Sequence, residues 1–174
     1  WTRAHPYSLS AAPNGRDLRI TVKDLGDGSH ELASVTPGSR VLIEGPYGRL
    51  HGGVRTQRKV LLMGAGIGIT PMRALLEELP QAPGDVTLIY RAGAEDELVL
   101  AEEIEQAATV RGARVFFVTG HRRHERNSWL PSSAGSLSDA DGLRQLVPDI
   151  AEHDVYLCGA NAWMDAAAKA ARDC

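Results

Sequence analysis

Cysteine is scarce in this chain. Its 174 residues contain two, Cys158 and Cys174, far apart and without paired spacing. That leaves no disulfide framework and no cysteine-based zinc site, and it fits a reducing cytoplasm. An excess of one charge is also missing: 19 Lys and Arg face 22 Asp and Glu, a formal net charge of −3. With a pI near 6.1, the chain lacks the basic footprint of a nucleic-acid or anionic-membrane binder. No apolar run approaches the roughly 20 residues of a membrane helix, and no signal-peptide pattern opens the chain. Internal repeats are absent too. What remains, 43% hydrophobic and 24% charged residues, is the composition of an ordinary globular protein.

Two textures divide the sequence. Up to about residue 53, short β-type runs (5–10, 18–23, 40–44) alternate with turn signals at Pro13-Asn14-Gly15 and Gly26-Asp27-Gly28. After a glycine- and arginine-rich linker over 45–58, four short apolar runs follow at 60–63, 86–90, 115–119 and 155–158. They have the character of strands buried on both faces. Helical patterns over 71–79, 98–108, 140–146 and 163–172 lie between or after them. Strand and helix in alternation predict parallel βαβ units. The expected division is therefore 1–52 and 53–174. Both ends read as cuts through a larger protein, since Trp1-Thr2-Arg3 leads at once into a motif and Asp173-Cys174 ends a helical pattern.

The run Gly64-Ala65-Gly66-Ile67-Gly68-Ile69-Thr70-Pro71 follows a predicted strand and opens a predicted helix. Glycines without Cβ atoms let a backbone approach a pyrophosphate, which then meets the positive end of the helix dipole. Thr70 suits the N-cap, and Pro71 suits the first turn, where no N–H is needed. The spacing departs from G-x-G-x-x-G, and Tyr90-Arg91 stands where an acidic ribose ligand is usual. Taken alone, the run fits a dinucleotide loop and a ligand-free strand–helix turn equally.

The segment His5-Pro6-Tyr7-Ser8 carries a sharper signal. It resembles the flavin-binding strand of the ferredoxin–NADP reductase superfamily, Arg-x-Tyr-Ser. His5 in place of the arginine is similar to the variant in the reductase halves of ferric reductases and NADPH oxidases. The resemblance implies that Tyr7 stacks on the isoalloxazine and that Ser8 hydrogen-bonds near flavin N5. Arg3 lies near enough to approach the phosphates, in a register unsuited to the arginine's usual role. Gly26-Asp27-Gly28-Ser29 resembles the family's FAD-pyrophosphate loop, with Ser29 as donor and Lys23 adding charge. Glu44-Gly45-Pro46-Tyr47-Gly48 resembles the turn that closes the flavin barrel, and the loop of Gly64, Gly66, Gly68, Thr70 and Pro71 resembles the nicotinamide-nucleotide loop.

Cys158-Gly159 at the last strand end completes the pattern. The resemblance places it beside the nicotinamide, with Cys158 positioning rather than attacking. The basic run Thr119-Gly120-His121-Arg122-Arg123-His124 stands where family members hold an adenosine 2′-phosphate, making Thr119, Arg122 and Arg123 the candidates and favouring NADPH over NADH. Arg91 could serve equally. His121 and His124 lack a third ligand, which argues against a metal.

The resemblance thus implies an α/β parallel-sheet NAD(P)-binding domain preceded by part of an antiparallel β-barrel FAD-binding domain. It implies an enzyme passing hydride from NAD(P)H to FAD, then single electrons to haem, iron or an iron–sulfur centre, with Ser8 and Cys158 at the reacting atoms. The expected partner is an electron-acceptor domain or protein, such as a haem-binding transmembrane domain in a longer chain. The expected location is the cytoplasm or the cytoplasmic face of a membrane. The other reading is a regulatory nucleotide-binding module that has lost flavin chemistry. Because the barrel is only partly present, the isolated chain is expected to bind FAD poorly.

Overall fold

The computed structural model describes residues 5–123 and 127–174. Arg3 and His124 lie outside the described residues. Helix α1 spans Asp27–Ala33, α2 Ile69–Glu78, α3 Ala101–Arg111, α4 Asp139–Leu146 and α5 Asn161–Arg172; strands are β1 Lys59–Ala65, β2 Val86–Ala92, β3 Arg114–Thr119 and β4 His153–Cys158. All strand pairs are parallel, in the order β3-β2-β1-β4.

The apolar runs become strands because both sheet faces are covered. Val60, Leu61, Leu62 and Met63 are all completely buried, and alternation sends them to opposite sides. Val60 and Leu62 pack with Met72 and Leu76 of α2 and Ile104 of α3. Leu61 and Met63 pack with Trp129, Leu143 of α4, and Trp163 and Ala167 of α5. Each fully buried side chain of this kind contributes about 1.5–3 kcal/mol. Local signals then set the helix ends. The Ser138 hydroxyl accepts the Asp141 N–H at 3.1 Å to start α4, and α3 stops at Gly112 with φ +65°.

The first third of the chain departs from its sequence pattern. Of the three β-type runs, none forms a strand; the backbone contact between two of them is a single antiparallel bridge, Leu9 to Ile20. A strand persists only where neighbours take its N–H and C=O groups, and the 40–44 run pairs with no described segment. The barrel is thus only partly covered by this chain. The Gly26-Asp27-Gly28-Ser29 turn is instead the start of α1, with Gly26 at its N-cap and φ +134°.

The 45–58 linker is fastened down at its C-terminal end. The carboxylate of Asp154 on β4 accepts the Thr56 and Gln57 backbone N–H groups, the latter at 2.7 Å, and the Thr56 hydroxyl at 2.8 Å. The Tyr156 hydroxyl donates to the His51 carbonyl at 3.2 Å. Burial pushes the Asp154 pKa up, but the Gln57 and Thr56 donors outweigh it and hold the carboxyl below its ordinary 3.8. A depressed carboxylate stabilises the fold fully above its unfolded pKa, and that stability is lost as pH falls through the folded value. In urea unfolding, wild type should therefore exceed Asp154→Ala clearly near about pH 7 and by much less near about pH 3. A gap that does not change with pH would remove the carboxylate charge from this account.

Candidate functional site

The sheet order places a crevice before any side chain is considered. From β1 the chain winds outward through β2 to β3, then returns to lay β4 on the other side of β1. Connections leave the carboxyl ends of β1 and β4 in opposite directions, the switch point at which open α/β sheets bind ligands. Gly64 pairs in register with Cys158 at this point, so the glycine loop and the Cys158-Gly159 strand end face one another.

Their approach is close. A Cβ on Gly68 would lie 2.3 Å from the Cys158 carbonyl oxygen, so only glycine lets the loop seat against β4. Gly66 turns through φ +53°, with open space where a Cβ would stand. Helix α2 begins at Ile69 with Gly68 as its N-cap. Thr70 therefore sits inside the first turn and not at the cap, and its hydroxyl donates to the Ile67 carbonyl at 3.0 Å. Pro71 is in the first turn, as its missing N–H requires.

A cleft of about 610 Å³ opens here, and the N-terminal segment forms its other wall. His5, Pro6, Tyr7, Ser8, Lys23 and Ser29 line one side; Gly68, Thr70, Pro71, Cys158 and Gly159 line the other. Three motifs separated by up to about 150 residues thus border one space of cofactor size, within the ~300–1,000 Å³ usual for such sites. The His5 and Tyr7 rings stack at 6.4 Å and 22°. The His5 ring rests on Gly28, where a Cβ would come within 2.7 Å of it. Ser8 is exposed to the cleft. The Ser29 hydroxyl is engaged within its own turn, accepting the Leu25 N–H and donating to Gly26 O, both at 2.8 Å. Cys158 is half-buried, and burial alone pushes its thiol pKa up, which keeps it protonated. Among the described residues no group of three metal-ligating side chains occurs.

The basic run lies elsewhere. Thr119 ends β3, outside the residues that line the cleft, and Arg122 is exposed. Arg123 does not offer its guanidinium to a phosphate. Its side chain is 7% exposed and donates to the carbonyls of Pro131 at 3.2 Å and Leu137 at 2.9 Å, beside Asp139. Arg91 likewise turns inward, donating to the carbonyls of Gly120 at 2.7 Å and of Val118 and His121 at 3.3 Å. It braces the loop after β3. Burial first, then the nearby Arg122 charge, lowers the Arg91 pKa.

Other cleft residues escaped the motif reading: Thr21, Val22, Leu25, Ala65, Ile67 and Ala160. Thr21 and Val22 lay within the alternating 18–23 run, but their facing depends on a partner segment. Ala65 and Ile67 are the intervening residues of the glycine loop and could have been taken with it.

Comparison with known proteins places this geometry. Residues 62–169 match the model of the oxidoreductase NAD-binding domain. The chain is 35% identical over 164 residues to a flavohemoprotein of Vibrio cholerae, covering 88% of this chain and 39% of that protein. It is 32% identical over 174 residues to the ferredoxin reductase component of the 3-ketosteroid-9-alpha-monooxygenase of Mycolicibacterium smegmatis, covering 97% and 46%. It thus spans less than half the length of these relatives. In fold it superposes on the cytochrome b5 reductase domain of Ulva prolifera nitrate reductase with a TM-score of 0.70 at 19% identity, over 96% of this chain and 71% of that one. A matched stretch covering more than half the residues, over a sheet whose switch point carries the glycine loop, decides the family. The chain belongs to the oxidoreductase NAD-binding domain family.

Proposed function

We propose that this chain is the reductase module of an FAD-dependent NAD(P)H oxidoreductase that delivers single electrons to a haem, iron or iron–sulfur acceptor. One observation carries the reading: Tyr7 and Ser8 face Gly68 and Cys158 across a single cleft. Bound there, FAD and the nicotinamide supply hydride and one-electron chemistry, and the protein supplies binding and orientation. Residues 1–52 contribute the flavin side and 53–174 the nucleotide side.

The residues fit those groups. The loop of Gly64, Gly66, Gly68, Thr70 and Pro71 opens a ten-residue helix whose N-terminus favours a pyrophosphate. Tyr7 offers an aromatic face and Ser8 a hydroxyl on the opposite wall. His5, Pro6, Lys23 and Ser29 continue that wall and suit the flavin and its phosphates, with Lys23 supplying positive charge. Ser29 does so through the turn it braces, since its hydroxyl is already engaged. Cys158, protonated, and Gly159 act as small groups that let a nicotinamide ring lie close to the strand end. Thr119 and the exposed Arg122 are the 2′-phosphate contacts that favour NADPH, while Arg123 helps shape their loop from within.

The relatives' names support an acceptor partner, since one is a flavohemoprotein and another serves a monooxygenase. His5-Pro6-Tyr7-Ser8 favours a haem-bearing transmembrane partner, with this module on the cytoplasmic face. Among the described residues, no helix is long and apolar enough to cross a membrane.

The full-length protein should show a flavin spectrum that NADPH bleaches anaerobically. No bleaching by NADPH or NADH would sink the oxidoreductase reading, and absence of FAD would favour a regulatory nucleotide-binding module. Gly68→Ala should weaken nicotinamide binding by about tenfold or more, equivalent to about 1.4 kcal/mol, measured by titrating flavin reduction. An unaltered affinity would remove the loop from the site. For Arg122→Ala, the ratio of NADPH to NADH efficiency should fall by about tenfold, as loss of one charge-assisted contact implies. An unchanged ratio would assign the phosphate elsewhere.

A further inference from the structure

Two residues beyond the cleft-lining Ser8, two arginines converge on one stretch of backbone. Arg73 on α2 donates to the Ser10 carbonyl at 2.7 Å, and Arg19 donates to the same oxygen at 2.8 Å. Both also reach one Glu103 carboxylate oxygen on α3, at 2.8 Å from Arg73 and 2.9 Å from Arg19. Glu77, one turn along α2, pairs with Arg73 at 2.9 Å and accepts the Ala12 N–H at 2.9 Å. Arg73 and Glu77 therefore hold the 10–12 segment by a carbonyl and an N–H. This grip acts on main-chain atoms.

The cluster is buried at its Arg73 end and half-exposed at Arg19 and Glu103. The Arg73 side chain is 8% exposed and Ser10 is fully buried. The Glu77 and Glu103 carboxylates beside it offset the cost of burying the Arg73 guanidinium. One planar guanidinium meets three acceptors on three segments, a geometry that a lysine ammonium cannot reproduce.

The position of this cluster gives it leverage. Ser10 follows Ser8 by two residues, a span of at most ~7 Å of extended chain. Arg73 follows Pro71 by two residues in α2, a rise of about 3 Å. Ser8 and Pro71 both line the cleft. The contact between Arg73 and Ser10 thus joins the two walls within two residues of the cleft lining on each side. Reacting atoms must come within about 3–3.5 Å, and a misplacement of ~1 Å costs about 10²-fold in rate.

We propose that Arg73 is a positioning residue for hydride transfer: by clamping the Ser10 carbonyl between α2, α3 and Arg19, it sets the separation of the flavin wall from the nucleotide loop. This rests on the oxidoreductase reading above. It assigns to Arg73 no contact with either cofactor.

The test uses the full-length protein in wild-type, Arg73→Met and Glu103→Gln forms, with Glu103→Gln the milder lesion at the half-exposed end of the cluster. Hydrogen–deuterium exchange should quicken at the Ser10 and Ala12 amides in Arg73→Met, less in Glu103→Gln, while the β1 amides keep their protection. In rapid mixing, the rate constant for flavin reduction at saturating nicotinamide should fall by about 10²-fold in Arg73→Met. The amplitude per mole of protein should stay constant, whereas mere loss of folded protein would lower that amplitude and leave the rate constant unchanged. Unchanged exchange in both variants overturns the clamp. Quickened exchange with a wild-type rate constant overturns the positioning role alone. A wild-type protein that no nicotinamide reduces overturns the oxidoreductase reading, and the positioning role with it, whatever the exchange shows.

Discussion

The glycine loop after β1 and the carboxyl end of β4 meet with almost no space between them, and the site depends on that contact. Gly68 lies so close to the Cys158 carbonyl that any side chain would collide with the backbone of β4. The same closeness starts α2 directly above the sheet and aims its N-terminus into the crevice. Complete burial of β1 on both faces holds this end rigid, because Val60 to Met63 cannot shift without disturbing both helical layers.

Around that fixed point, polar contacts fasten the less regular parts of the chain. Asp154 grips the end of the linker, Arg91 ties down the loop after β3, and the Arg73–Glu77 pair holds the segment beyond Ser8. Each contact is made largely to main-chain atoms. Segments without a sheet of their own must find partners for their backbone groups, and charged side chains on the ordered half supply some of them. A large exposed apolar surface nevertheless remains on the first third, including Leu42, Ile43 and Tyr47.

The basic loop shows how two arginines of one run diverge. Arg122 stays exposed, while Arg123 is drawn inward by the Pro131 and Leu137 carbonyls and Asp139. A guanidinium has five donors, so it satisfies buried carbonyls as readily as it binds a phosphate. Sequence cannot tell these uses apart, because the carbonyls belong to a segment some ten residues downstream.

The sequence by itself determined the four strands and the four helices that follow β1. Apolar runs such as 60–63 and amphipathic runs such as 163–172 carry their own periodicity, and local caps end them within a few residues. It also marked Tyr7, Ser8, the glycine loop and Cys158 as a set, because their order along the chain is itself a signature. Tertiary structure decided what local pattern could not. The alternating run at 18–23 makes only one bridge, since a strand needs neighbours that the described chain does not provide. Gly26 to Ser29 enters a helix, and Thr70 sits in the first turn of another and not at its cap. The strand order brought the glycine loop and the Cys158 strand end together, and the Arg73 contact with the Ser10 carbonyl holds the N-terminal segment against them. Both depend on contacts between residues more than 60 positions apart, and no local propensity encodes a distance of that kind.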